Sequence, residues 1–126
     1  MASLLTSPPT SKIFYGYVQA FLLIATGIHH MADPAGLSQN IIPVPANTPA
    51  TSYVSMMGAR NLAIGLISAV LTYRGDINAL AVIAYFLAVP GLVDGWYSYR
   101  AVGIKQAWSH WFVSALLPIA AWWLES

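Results

Sequence analysis

Apolar residues occur in four long runs along this chain, and short polar segments separate them. The runs cover residues 13–30, 50–73, 77–97 and 107–124. Each is close to the length of about 20 residues that a helix needs to cross a bilayer. We therefore predict an all-α fold, a four-helix transmembrane bundle that forms a single membrane domain over residues 13–124. Because four crossings return the chain to the side where it started, we expect both termini on the same side.

The segments between the runs differ in length and character. Residues 1–12 are rich in Ser, Thr and Pro, and we expect a flexible tail there. The connection at 31–49 contains Pro34, Pro43, Pro45 and Pro49, which exclude a continuous helix. It also carries apolar residues, so we interpret it as an interfacial segment or lid lying across one end of the bundle. The tripeptide at 74–76 predicts a tight turn.

The composition also indicates a membrane protein. Hydrophobic residues make up 58% of the 126 residues and charged residues only 7%, and the mean hydropathy is +0.64. Soluble domains carry about 25% charged residues, so this chain cannot cover a water-facing surface with them. We expect a multi-pass integral membrane protein, in the endoplasmic reticulum if the cell is eukaryotic. The expected partners are the lipid bilayer and a lipophilic small-molecule substrate. A net charge of +1 excludes a basic nucleic-acid surface and leaves self-association open.

Two charged residues interrupt the apolar runs. Arg60 lies inside the second run and Asp94 inside the third. An arginine near the bilayer centre costs about 2.5–3.5 kcal/mol on insertion scales, so it requires a partner or a function. At 1.5 Å per residue, antiparallel helices place these two side chains at similar depth. We predict that they pair, either as a structural clamp or as part of a site that faces a substrate.

The histidines lie toward the same end of the predicted bundle. His29 and His30 close the first run, and His110 opens the fourth. Tyr15, Gln19, Thr26 and His30 recur at steps of four and seven, so they share one helical face, which we expect to turn toward the bundle interior. Two simpler interpretations remain open. The histidine that faces away from the bundle, His29 by the register of the polar face, is an interfacial residue stabilised by the helix dipole, and His110 is an interface anchor.

A catalytic interpretation assigns chemical roles to this cluster. Asp94 would act as a base or orient water, Arg60 would stabilise an oxyanion, and His110 and His30 would transfer protons. The candidate substrate-binding residues are Asn61, Gln19, Thr26 and Trp111. The alternative role of Asn61 is a hydrogen bond between helices. No phosphate loop or dinucleotide fingerprint is present, and we expect no cofactor and no metal.

The stretch Gly58-Ala59-Arg60-Asn61-Leu62-Ala63-Ile64-Gly65 precedes an acid near the end of the third run and a histidine that opens the fourth. In this arrangement the chain resembles, over residues 13–124, an uncharacterised family of small four-helix integral membrane proteins. That family has a DoxX-like layout and a Gly-Ala/Ile-Arg signature in its second helix. Its members occur beside biosynthetic genes for lipophilic natural products, which implies an accessory protein or a tailoring enzyme.

We therefore expect a cofactor-independent tailoring enzyme that acts on a lipophilic natural-product intermediate by acid–base chemistry. The reaction classes that remain are isomerisation, cyclisation and the opening of an epoxide by water. The alternative is a non-enzymatic membrane assembly or accessory subunit in which the pair of Arg60 and Asp94 is a structural clamp.

Overall fold

The computed structural model describes residues 8–36 and 49–126. Its long helices are α1 (Thr10–Ala32), α2 (Pro49–Tyr73), α3 (Ile77–Val102) and α4 (Ile104–Glu125). The described residues contain no strand, so the fold is all-helical as predicted. The helices extend beyond the apolar runs, furthest in α3, which continues past residue 97 because its backbone hydrogen bonding persists through polar residues. Most of the predicted tail and of the predicted lid lies outside the described residues.

Three of the helices identify a membrane protein. The α1 helix, the Thr51–Tyr73 part of α2, and α3 are each long and apolar enough to cross a bilayer by length and composition. Large apolar side chains such as Phe14 and Phe86 are exposed on the outside of the helices. A soluble protein rarely leaves so much contiguous apolar surface uncovered.

Short connections join the helices on either side of α3. Asp76 caps the start of α3, where its carboxylate accepts a hydrogen bond of 3.2 Å from the Ala79 N–H. Gly75 precedes it with φ of +70°, a left-handed conformation that glycine adopts without strain. Gly103, with φ of +89°, is the single residue between α3 and α4. Both connections reverse the chain and place consecutive helices antiparallel.

The first hairpin, α1 with α2, is held together at glycines. A methyl group placed on Gly27 would lie 2.6 Å from the Leu62 nitrogen, and one on Gly58 would lie 2.7 Å from the Gly27 oxygen. The two backbones therefore touch, as small residues allow in membrane helices. Nearer the middle of the hairpin, Gln19 Nε2 donates to Ser68 Oγ across 3.3 Å.

The second hairpin, α3 with α4, uses glycines on α3 only. Gly91 faces the hydroxyl of Ser114, and Gly95 lies directly beneath the indole of Trp111. These contacts bring the α4 side chains against the α3 backbone, and they keep the two helices side by side through the middle of their length.

The two hairpins contact each other chiefly at one end, which we call the Lys12 end. A buried core there is formed by Ile77, Leu80, Ala81, Ala84, Ala121 and Leu124, with Ile13 and Tyr15 of α1 packed against it. Tyr15 meets Trp123 edge-on with ring centroids 6.0 Å apart, and Lys12 Nζ donates to the Leu124 carbonyl across 3.0 Å. The opposite end, where α3 joins α4 at Gly103, we call the Arg60 end.

The glycine contacts of the first hairpin predict the effect of one substitution. Gly58→Val should lower the free energy of unfolding by about 1–3 kcal/mol, because its new carbon atoms meet the α1 backbone. Thermal unfolding of the purified protein in detergent measures the loss. Ala59→Val adds similar bulk on the exposed neighbouring face and is the matched control. Equal melting temperatures for the two variants would contradict the close packing of α1 on α2.

Candidate functional site

An ion pair joins the two hairpins at the Arg60 end. Arg60 Nη2 on α2 lies 3.2 Å from Asp94 Oδ2 on α3, so the predicted pairing is present. The two side chains remain 38% and 21% exposed, respectively. The pair is therefore both a link between α2 and α3 and a polar surface that another molecule can reach.

The pair leaves hydrogen-bonding capacity on both partners. A guanidinium has five N–H donors, and Nε of Arg60 is buried without a hydrogen-bond partner among the described residues. The hydrogen bond of the pair engages only one of the two carboxylate oxygens of Asp94. An acceptor oxygen at the exposed part of the guanidinium would meet N–H donors beyond the one that binds Asp94.

His30 lies on α1 and packs against Gly58 of α2. Gly58 precedes Arg60 by two residues. The Cβ of His30 would lie 2.8 Å from a methyl group placed on that glycine. Its Nδ1 lies within hydrogen-bond distance of the Thr26 carbonyl, one turn earlier in α1. Donation from Nδ1 to that carbonyl leaves Nε2 as the ring nitrogen that can accept a hydrogen bond.

His110 and Trp111 lie beside the corresponding glycine of the second hairpin. The Cβ of His110 would be 3.2 Å from a methyl group on Gly95, the residue that follows Asp94. The Trp111 indole covers Gly95 and packs against Tyr99, with ring centroids 5.7 Å apart. All four candidate catalytic residues thus occupy the Arg60 end, and the structure shows a direct side-chain contact between Arg60 and Asp94.

Two candidate substrate-binding residues, Gln19 and Thr26, have side chains that form hydrogen bonds away from the ion pair. Thr26 is exposed and donates to the Leu22 carbonyl of its own helix across 2.8 Å, so the expectation that it faces the bundle interior was wrong. Gln19 is buried as expected, but its amide binds Ser68 within the first hairpin. The face of α1 that contacts α2 passes through Gly16 and Gly27, because glycines permit the closest approach. Asn61 is partly buried, next to Arg60.

Ser98, near Asp94 in α3, was not among the residues predicted from the sequence. Ser98, one turn further along α3, is fully buried, and its hydroxyl has no partner among the described residues. Trp96 packs on Tyr99 at 6.3 Å and lies beneath the Arg100 guanidinium at 6.0 Å, at the edge of the site. The four-residue step from Asp94 to Ser98 was a detectable signal, since such a step places two side chains on one helical face.

A concave feature lies at the other end of the bundle, and the described residues contain no cluster of metal ligands. A shallow cavity of about 360 Å³ opens at the Lys12 end, away from the ion pair, and Lys12, Asp76 and Glu125 contribute its charges. Within residues 8–36 and 49–126, no three His, Asp or Glu side chains come together as metal ligands.

Comparison with known proteins identifies a family but no characterised relative. A family model described as a domain of unknown function (DUF4267) matches residues 20–124. No curated protein and no solved structure shows significant similarity to the chain.

The ion pair predicts a measurable energetic coupling between its partners. Removing one charge leaves the other unpaired in a region of low dielectric constant, which costs more than removing both. Arg60→Gln and Asp94→Asn should therefore each destabilise the protein, and the double variant should be more stable than the sum of the single effects implies. Unfolding free energies of the four proteins in one detergent give the coupling, which we expect to be about 1–3 kcal/mol. Strictly additive effects would show that the contact contributes nothing.

Proposed function

Since the family model spans most of the chain, this protein belongs to the DUF4267 family, and we propose that it is a small multi-pass membrane enzyme. It acts without a cofactor on a lipophilic intermediate of natural-product biosynthesis. Its reaction is an isomerisation, a cyclisation or the hydrolytic opening of an epoxide, and it proceeds by acid–base chemistry at the Arg60 end.

The packing of α4 supports four membrane crossings. The α4 helix is not among the three helices that are long and apolar enough to cross a bilayer by length and composition, but it lies antiparallel along α3 from Gly91 and Gly95 to the core around Leu124. A helix packed along a membrane-spanning partner shares its depth. Lys12 also contacts the carbonyl of Leu124, so both ends of the helical domain lie together, as four crossings require. An exposed Trp108 and an exposed Trp122 near the two ends of α4 fit the two membrane interfaces.

The observation that carries the enzymatic proposal is the partial exposure of the ion pair. A charge pair that only joins two helices is most stable when it is shielded from lipid, because exposed charges in a membrane are costly. Arg60 and Asp94 are instead 38% and 21% exposed, and among the described residues their mutual hydrogen bond engages one guanidinium nitrogen and one carboxylate oxygen. A polar ligand or water at this surface can bind the exposed part of the pair, and two histidines, His30 and His110, lie at the same end of the bundle.

The groups present suffice for epoxide opening. Asp94 takes a proton from water while the water oxygen attacks an epoxide carbon and the carbon–oxygen bond of the ring breaks. The Arg60 guanidinium stabilises the oxyanion that forms, and His30 or His110 supplies the proton that completes the diol. For isomerisation, Asp94 removes a proton next to a carbonyl, Arg60 stabilises the enolate, and the proton returns at another carbon.

Substitution of Asp94 provides the test of activity. Asp94→Asn should abolish turnover, since an amide accepts no proton at neutral pH, while the protein still accumulates in the membrane. Lipid-soluble metabolites from cells that carry the variant should show one compound accumulated and its product reduced to less than about a tenth. Glu125→Gln makes the same chemical change at the Lys12 end and is the matched control, with an expected wild-type profile. Unchanged metabolites in Asp94→Asn cells, with normal protein levels, would refute the proposal.

The direct contact across the hairpins favours a second candidate, a non-enzymatic accessory subunit in which the pair is a clamp. Charge reversal distinguishes the two functions. For a clamp, Arg60→Asp combined with Asp94→Arg should recover accumulation and the host phenotype together, because the attraction between α2 and α3 is restored. For the enzyme, the reversed pair should recover accumulation alone, since the carboxylate and guanidinium no longer face the substrate from their original positions.

A further inference from the structure

The connectivity of the chain leaves the two hairpins unjoined at the Arg60 end. Residues 74–76 connect α2 to α3, and they lie at the Lys12 end. At the Arg60 end each helix continues into the partner of its own hairpin, as α3 continues into α4 through Gly103. No covalent link therefore opposes a separation of α2 from α3 at that end.

The noncovalent contacts are distributed in the same unequal way. At the Lys12 end the hairpins share a buried apolar core, the contact of Tyr15 with Trp123 and the hydrogen bond from Lys12. At the Arg60 end the hairpins are joined by the ion pair of 3.2 Å between partly exposed groups, and the buried apolar core described above lies at the opposite end. Within each hairpin, glycine contacts hold the helices backbone to backbone or side chain to backbone, so each hairpin moves as a rigid unit.

We propose that the boundary between α2 and α3 at the Arg60 end is a lateral gate, through which the protein binds a lipophilic molecule that carries an acceptor oxygen. The molecule enters from the bilayer, and its oxygen replaces Asp94 on the Arg60 guanidinium. The hairpins turn apart about the Lys12 end, where the core and the turn at Gly75 form the hinge. The chemical use of the bound molecule rests on the proposed enzymatic function, whereas the gate itself does not.

The class of ligand follows from the groups at the gate. Arg60 offers N–H donors and a positive charge, and its Nε has no protein partner among the described residues. A carboxylate or a polarised carbonyl or epoxide oxygen satisfies such donors, and a cation does not. The neighbouring surface of α3 is apolar, with Leu92 and Val93 exposed beside Asp94. The ligand must therefore combine an apolar body with one acceptor group.

Displacement of Asp94 couples binding to the exposure of its carboxylate. In the closed pair one carboxylate oxygen of Asp94 accepts a hydrogen bond from Arg60. When a ligand oxygen takes its place on Arg60, the carboxylate is freed beside the ligand. The closed pair thus keeps the carboxylate engaged until a molecule of the right class arrives.

The absence of cysteine from the chain permits a direct test with paired spin labels. One label pair, on Met56→Cys and Tyr97→Cys, spans α2 and α3 near the Arg60 end, and a second, on Val70→Cys and Val82→Cys, spans the same helices near the Lys12 end. All four positions are exposed. Distances are measured by pulsed electron spin resonance in lipid nanodiscs, with the original ion pair and with Asp94→Asn. Laurate and dodecyltrimethylammonium, which have equal chain lengths, are added separately to the protein with the intact pair.

We expect the distance between the labels at the Arg60 end to lengthen by about 4 Å in Asp94→Asn. A rotation of one hairpin by roughly 10° about the Lys12 end moves a label about 25 Å away by this amount. Laurate should produce the same change in protein with the intact pair, dodecyltrimethylammonium should not, and the Lys12-end distance should stay constant throughout. In Arg60→Gln, laurate should not change the distance between the labels at the Arg60 end. An unchanged Arg60-end distance with laurate, or equal changes at both ends, would overturn the gate.

The laurate experiment remains decisive if Asp94→Asn fails to accumulate, since it uses the unaltered pair. The outcomes also separate the gate from the proposed enzyme. If laurate lengthens the Arg60-end distance but Asp94→Asn leaves metabolites unchanged, the gate is supported and the enzymatic function is refuted. If Asp94→Asn abolishes turnover but laurate does not change the Arg60-end distance, the enzymatic function is supported and the gate is refuted.

Discussion

The structure depends on the close approach of helices at glycine residues. Inside a bilayer the hydrophobic effect does not favour one helix against another over lipid, so packing at short range must hold helices together. Gly27 and Gly58 provide that contact in the first hairpin, and Gly91 and Gly95 provide it in the second. Each ionisable partner is placed by a nearby glycine, Arg60 by Gly58 and Asp94 by Gly95. The position of the charges is therefore a consequence of where the backbones can meet.

The ion pair then reflects a balance between stability and accessibility. Attraction between opposite charges is much stronger in a medium of low dielectric constant than in water. Complete burial would satisfy that attraction and would leave nothing for another molecule to bind. Arg60 and Asp94 instead keep part of their surface open, and the Arg60 Nε has no hydrogen-bond partner among the described residues. An oriented guanidinium in such a setting stabilises developing negative charge without the reorganisation that water would require.

Much of this arrangement was predictable from the sequence, since run length and the antiparallel order of helices bring Arg60 and Asp94 to one level. The rotation of each helix was harder to predict. Polar spacing in α1 suggested one face for Gln19, Thr26 and His30, but the glycines determine which face meets α2, and Thr26 is left outside. In a membrane helix the positions of glycines are as informative as the positions of polar side chains. The prediction for α1 used the polar positions and not the glycines.

The unequal association of the hairpins could not be predicted from periodicity. Apolar stripes mark which residues avoid water, and in a membrane almost every face avoids water. Only the small and aromatic residues around Leu80 and Leu124 distinguish the packed end, and their effect depends on contacts between helices that are distant in the chain. Local pattern carries little information about such contacts, because it reports on one helix at a time.

The single residue between α3 and α4 has a consequence for how this protein can change over evolutionary time. Gly95 lies eight positions before Gly103, and the Trp111 that covers it lies eight positions after; Gly91 and Ser114 stand twelve before and eleven after. The chain reverses at Gly103, so a residue of α3 contacts a residue of α4 that is nearly the same number of positions from Gly103. One inserted or deleted residue in either helix would turn every partner beyond it by about 100°. Length variation among relatives should therefore be excluded from these two helices and confined to the chain outside them.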